Sequence, residues 1–222
     1  MAKQKNFHTF EQWTSFDAEK KLGLSPIWIS GSLNDWITPE KEIKASTAET
    51  LDLLRINLLR FYNFWNEQEL FAKFIAPVLN SIEWWNETFN LFHERPLRAE
   101  IKGHKVHGIV DGLVASGSYE PIKPYFFLHE YKRMKQSEAD PLGQLLITML
   151  AARELNRDGK PLYGCFIIGK MWQFVLLDGD TYAQTQGYDA TDQEELRTIW
   201  LILAKTKEII IQRVAEDFPN LQ

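Results

Sequence analysis

Between residues 47 and 64, Leu51, Leu54, Ile56, Leu58, Leu59, Phe61 and Tyr62 recur at mostly helical spacing, which predicts a helix. Asn66 then reads as a fresh N-cap with Glu69 at the N3 position. The helix it opens, over 66–80, carries an apolar stripe of Leu70, Phe71, Phe74, Ile75, Val78 and Leu79. Upstream, Thr9 with Gln12 fits a capping box, Gly23 stops that segment, and 24–46 is broken by Pro26, Gly31, Asn34 and Pro39.

The period changes after Pro96. Leu97–Lys102, a turn at Gly103-His104 and Lys105–Ala115 read as a β-hairpin, and Tyr125–Arg133 reads as a third strand. Asp140-Pro141 is an N-cap with proline at N1, opening a helix that runs to about Leu155. Two more strands follow, Leu162–Ile168 and Met171–Leu177, joined at Gly169-Lys170. Thr191 with Glu194 reads as a second capping box, for a C-terminal helix ending near Ala215. The order α-β-β-β-α-β-β, with helices added at both ends, predicts an α/β core with a mixed sheet flanked by helices. The expected organisation is a helical extension over 1–64, a core over 65–183, and a C-terminal helix over 184–222 packed on the core.

The 222 residues, 45% hydrophobic and 25% charged, have ordinary globular composition, which argues against global disorder. A net charge of −5 argues against a protein that coats nucleic acid by bulk charge. The charge is uneven, however. Residues 95–135 hold eight Lys/Arg and four acids, a local +4 that leaves −9 for the remainder, and such a basic patch suits a phosphate-bearing substrate. The single cysteine, Cys165, excludes an internal disulfide and a multi-cysteine zinc site, and its apolar strand reads it as a buried small hydrophobe. No apolar run approaches the roughly 20 residues that span a bilayer, and no apolar stretch follows the basic N-terminus as in a secretory signal. The expectation is a soluble, cytoplasmic protein with no membrane partner.

Candidate chemistry centres on Asp111 and on Glu130-Tyr131-Lys132. Strand period places Glu130 and Lys132 on one face, with Phe126 and Leu128 before them, and an antiparallel neighbour would bring in Asp111. Two close carboxylates repel unless a proton or a cation joins them; a divalent metal resolves this, and an adjacent lysine stabilises charge developing on a phosphate. Acid-x-Lys alone is a weak signal, since it also occurs at Glu19–Lys21, Glu42–Lys44, Glu100–Lys102 and Asp158–Lys160. Only Glu130–Lys132 combines a strand, an upstream strand aspartate and a following helix. His104 and His107, three residues apart on a strand, point to opposite faces, and His129 lies opposite Glu130 as a structural residue. Trp84-Trp85 reads as core or interface packing before base stacking.

The segments HGIVDGLVA, YFFLHEYKR and DPLGQLLITMLAA resemble the core of the PD-(D/E)XK nuclease superfamily, the restriction-endonuclease-like fold, over roughly 66–177, and are similar to an uncharacterised bacterial branch of it. Val110-Asp111 stands where the superfamily name has Pro-Asp. The resemblance implies that Asp111 and Glu130 are metal ligands for Mg²⁺ or Mn²⁺ and that Lys132 is the catalytic lysine. The superfamily often adds an acid from the first core helix, and Glu67, in the middle of the apolar stripe, fits that place better than Glu69, which capping of Asn66 explains. Phage-exonuclease-like branches place a glutamine on the helix after the lysine. Gln144 occupies that position, with Thr148 where those branches commonly have tyrosine. The function implied is metal-dependent hydrolysis of nucleic-acid phosphodiester bonds, DNA before RNA. A catalytically inactive binding or assembly module on the same fold is the alternative, and a homodimer built through the Trp-bearing helices fits either.

Overall fold

A computed structural model describes residues 7–38, 41–132 and 140–217. The N-terminal segment contains strand β1 (Phe7–Thr9), helix α1 (Ser15–Leu22), strand β2 (Ser25–Pro26) and helices α2 (Gly31–Ile37) and α3 (Ala45–Phe61). Helix α4 (Glu67–Leu70) passes through a π-turn at Phe71–Ile75 into α5 (Ala76–Asn80). Strands β3 (Phe89–Ile101), β4 (His104–Ser116) and β5 (Ile122–Lys132) precede α6 (Pro141–Asn156). Strands β6 (Leu162–Ile168), β7 (Met171–Asp178), β8 (Thr181–Gln184) and β9 (Tyr188–Asp189) lead into α7 (Gln193–Asp217).

The strands form one mixed sheet in the order β1-β4-β5-β6-β7-β8-β2, with β3 on the other edge of β4 and β9 on β7. The pairs β3–β4, β4–β5 and β6–β7 are antiparallel; β5–β6 is parallel, as α6 crossing between them requires. The fold is therefore α/β, a mixed sheet flanked by helices. One apolar layer packs α1 and α6 against the sheet through Leu22, Leu146 and Leu150; the opposite layer joins α2, α3, α5 and α7 through Trp36, Leu58, Val78 and Leu203. The N-terminal segment thus contributes to both layers, and β1 and β2 add to the sheet itself.

Several local expectations are met in detail. Asn66 and Glu69 form the reciprocal capping box, Gly23 closes α1 in the left-handed region at φ 67°, and Asp140 Oδ1 accepts from Gly143 N at 2.8 Å. Others differ. The first hairpin strand starts at Phe89 and passes through Pro96, because β3 pairs only with β4 and an edge strand tolerates a residue without an N–H. The C-terminal helix is capped by Asp192, whose Oδ1 accepts from Glu194 N and Glu195 N, while the Thr191 side chain turns to Asp189. Helix α3 buries only Leu51 and Leu58 of its expected apolar face, and Leu53, Ile56 and Leu59 are exposed. Phe126 leaves the face of Leu128 for the opposite core, because the β4–β5 register shifts between Val114 and Ala115. The expected strand end at Arg133 lies outside the described residues.

Candidate functional site

Asp111 sits where the sheet changes character. On one edge of β4, residues 105–107 pair with β1 and residues 112–116 pair with β5, so the ladder opens between them. On the other edge the β3–β4 ladder skips the pair Glu94 and Asp111, and Glu94 takes a left-handed backbone at φ 50°. The alternation of faces reverses across this point. Val106 and Val110 share the α6-side core with Leu113 and Ala115, although strict alternation would put these two pairs on opposite faces. The local irregularity therefore re-aims Asp111. Its Oδ2 accepts the Tyr131 backbone N–H at 2.9 Å, just beyond the last regular β4–β5 pair, Gly112 with His129.

Strand β5 supplies the other two groups on one face. Glu130 is fully buried, and its Oε2 accepts from Gln144 Nε2 at 2.8 Å. Lys132, 13% exposed, places Nζ 3.7 Å from Asp111 Oδ2 and 3.9 Å from Glu67 Oε1. The structure thus brings together Asp111, Glu130, Lys132 and Gln144 and reaches Glu67 through the lysine. Glu67 is 36% exposed, at the mouth of the cluster. Helix α6 is held in register by Asp140, whose Oδ2 accepts from Ser15 N and Ser15 Oγ at 2.7 and 2.9 Å while its Oδ1 caps α6. A Cβ added at Gly143 would lie 2.4 Å from the Ser15 backbone, so glycine is what lets the two helix ends meet above Gln144.

Burial pushes the Glu130 carboxyl well above its ordinary value, and the Asp111 carboxylate beside it adds to the shift; the Lys132 ammonium opposes both. Glu130 Oε1 is buried and has no hydrogen-bond partner. A buried carboxylate oxygen without a donor, next to a second carboxylate, calls for a proton or a cation. The oxygen donors of Asp111 and Glu130 are the hard ligands a divalent Mg²⁺ or Mn²⁺ takes, so the pair fits that ion. No group of three or more His, Cys, Asp or Glu side chains placed to share one ion occurs among the described residues, and Glu67 reaches Asp111 by way of the Lys132 amine.

Behind β5, on the other face, His129 is fully buried and its pKa falls to about 3, through desolvation first and His93 second. It is therefore a neutral ring packed between β4 and β5. A Cβ on Gly112 would lie 1.8 Å from His129 Nε2, so the strand needs glycine opposite it. Phe71, at the start of the π-turn, stacks on Tyr131 with centroids 5.1 Å apart. Pro77, lacking an N–H, withdraws the donor that an unbroken α-helix would give Lys73, which accounts for the wider turn just before it. Cys165 is buried, as expected of a small hydrophobe.

One contributor escaped sequence reasoning: the Tyr131 amide that orients Asp111 carries no sequence signal. A separate cavity of about 850 Å³ lies between α7 and residues 41–47 and 81–83. Lysines on its wall already bond to the chain, Lys205 to the carbonyls of Asp35 and Thr38 and Lys207 to that of Ile82. The sequence matches no family model and no curated protein. Among the described residues, no helix is long and apolar enough to cross a membrane.

Proposed function

We propose that the chain is a divalent-metal-dependent nuclease of the restriction-endonuclease-like kind, hydrolysing phosphodiester bonds in nucleic acid, with DNA the preferred substrate. The observation that carries this reading is the meeting of Asp111, Glu130 and Lys132 at the opening between β4 and β5, with an unpartnered buried oxygen on Glu130. Asp111 and Glu130 would hold one Mg²⁺ or Mn²⁺, with Glu67 at the mouth. Bound there, the ion supplies Lewis acidity toward a phosphate oxygen and a more acidic attacking water.

The chain's own groups do the rest. Gln144 orients Glu130 by donating to Oε2, and the Tyr131 amide orients Asp111. Lys132, largely screened from solvent, presents a fixed positive charge to the phosphate oxygens as negative charge grows on them, where a low local dielectric strengthens its effect. Glu67 and Asp111 flank the lysine and hold its amine in place.

The test is cleavage of single- and double-stranded DNA and RNA with Mg²⁺ or Mn²⁺ by wild type, Glu130→Ala and Lys132→Ala. The expected result is metal-dependent cleavage lost in both variants; cleavage unaffected by both overturns the mechanism. The second reading, an inactive binding or assembly module on this fold, is favoured by one observation: Glu67 pairs with Lys132 instead of gathering with the other two acids. Calorimetry with Mn²⁺ separates the two, because an inactive site takes up no ion that Asp111→Ala abolishes.

A further inference from the structure

Four of the five residues from 61 to 65 are aromatic, Phe61, Tyr62, Phe64 and Trp65, and they join α3 to the helix that begins with Glu67. The segment turns tightly, with Phe64 N and Trp65 N both donating to Phe61 O. Trp65 is buried and anchors the turn; Phe61 stacks on it with centroids 6.1 Å apart and planes 27° apart. Phe64 is left 82% exposed and Phe61 45% exposed. A single exposed phenylalanine needs no explanation. Two on one short turn, backed by a stacked tryptophan and next to a candidate site, do.

Two lysines lie over the other two rings of the turn, each paired with an acid. Lys73 Nζ lies 5.6 Å from the Trp65 ring and pairs with Glu69; Lys170 Nζ lies 5.4 Å from the Tyr62 ring and pairs with Asp189. Arg60 adjoins Phe61 and forms no ion pair among the described residues. The cluster also leads along the chain directly into Glu67. Three peptide steps separate Phe64 from Glu67, so their Cα atoms lie within about 11 Å, and Glu67 Oε1 is 3.9 Å from Lys132 Nζ. On the other side, Gly169 N, next to Lys170, donates to Lys132 O at 2.8 Å.

We infer that Phe64, exposed on the same turn as Phe61, is a stacking platform for the bases of single-stranded nucleic acid entering the site at Glu67 and Lys132. An exposed ring is what a single strand uses, because each base offers it a π-face. Within a duplex the base faces are covered by their neighbours, so Phe64 would find only the terminal pair. This inference rests on the nuclease reading for the strand's destination but not for the contact itself.

The experiment measures anisotropy of a fluorescein-labelled oligothymidylate with the full chain in EDTA, beside a blunt duplex and an oligonucleotide of the same length made of abasic sites, with metal-dependent cleavage assayed in parallel. Phe64→Ala is expected to weaken oligothymidylate binding about tenfold, within the range of one lost base stack. Phe64→Trp is expected to keep it, and the abasic strand is expected to bind weakly and equally to wild type and Phe64→Ala. Because Phe64 faces solvent, an unchanged melting temperature shows that the loss is not misfolding. Equal oligothymidylate affinity of wild type and Phe64→Ala overturns the inference. So does a dimer in sedimentation that Phe64→Ala dissociates while strand affinity holds, since the ring would then serve a second copy of the chain. Stacking-dependent binding without metal-dependent cleavage removes the nuclease reading and leaves the platform; cleavage with binding indifferent to Phe64 does the reverse.

Discussion

Two strand segments of this protein carry the same acid-x-lysine pattern, Glu100–Lys102 at the end of β3 and Glu130–Lys132 at the end of β5. Their fates differ completely. Glu100 faces solvent, and its nearest cation is Lys105 at 4.0 Å. Lys102 sits in the hairpin turn with φ 47°, donates to Leu22 O at 2.7 Å and reaches Asp180 at 3.6 Å, so it pins the end of α1. Glu130 is instead fully buried beside Asp111, and Lys132 is shielded between two acids. The pattern is therefore no signal of chemistry by itself. A neighbouring strand acid and a covering helix separate a solvated turn from a charged pocket, because electrostatic interactions gain strength only where water is excluded.

The sharpest way to break this contrast is activity. Lys132→Ala is expected to lower metal-dependent cleavage by about 10²–10³-fold, as loss of one preorganised charge-stabilising group does. Glu100→Ala and Lys102→Ala should leave the rate within about twofold of wild type; a comparable drop in either would erase the distinction. Next in size is a stability effect on the face of the sheet behind the pocket. Gly112→Ala forces a Cβ into His129 and should cost about 1–3 kcal/mol in denaturant unfolding, whereas Gly103→Ala, in the turn beside Lys102, meets no atom and suffers only its positive φ.

Glu130 sharpens the comparison through pH. Its carboxyl is raised in the folded state, so the native protein binds a proton that the unfolded chain releases near the ordinary value of 4.5. Its contribution therefore favours folding at low pH and is lost as pH rises from about 4.5 through the higher folded value. Glu130→Gln removes that loss and still accepts from Gln144. Its melting temperature at pH 7 should exceed wild type's, by about 2–4 °C for each kcal/mol of relief, and the wild-type fall in stability with pH should flatten. Mn²⁺ should raise the melting temperature of wild type and not that of Glu130→Gln. An acid-side loss of stability in wild type that Glu130→Gln abolishes would contradict the sign. The smallest effect belongs to the solvated copy: Lys102→Ala is expected to cost less than about 1 kcal/mol in thermal or denaturant unfolding.

Much of this arrangement is legible in the chain. The hairpin β3–β4, the strand β5 and the Asp140 cap of α6 follow from period, turn residues and capping, while Gln144 was indicated only by the family resemblance. Strand period also put Glu130 and Lys132 on one face. The rest was hidden for identifiable reasons. Pro96 looked like a boundary because the edge position that tolerates it is a property of the sheet. The face of Asp111 could not be counted out from its neighbours, since the irregularity opposite Glu94 reverses the alternation. Helix α3 looked amphipathic toward a core, yet the helices on that layer cover only part of its apolar surface.

Local rules, then, sufficed for most of the strands and helices and for placing Glu130 and Lys132 at the end of β5, because propensity, period and caps act over a few residues. Asp111, by contrast, lies in the middle of β4 and not near its end. Only the tertiary structure decided that Asp111 turns toward Lys132, that Glu130 is sealed beneath α6 with one oxygen unpartnered, and that Glu67 meets the lysine before the acids. Those outcomes depend on where ladders end and layers close, and on how much water the packed layers leave around each charge.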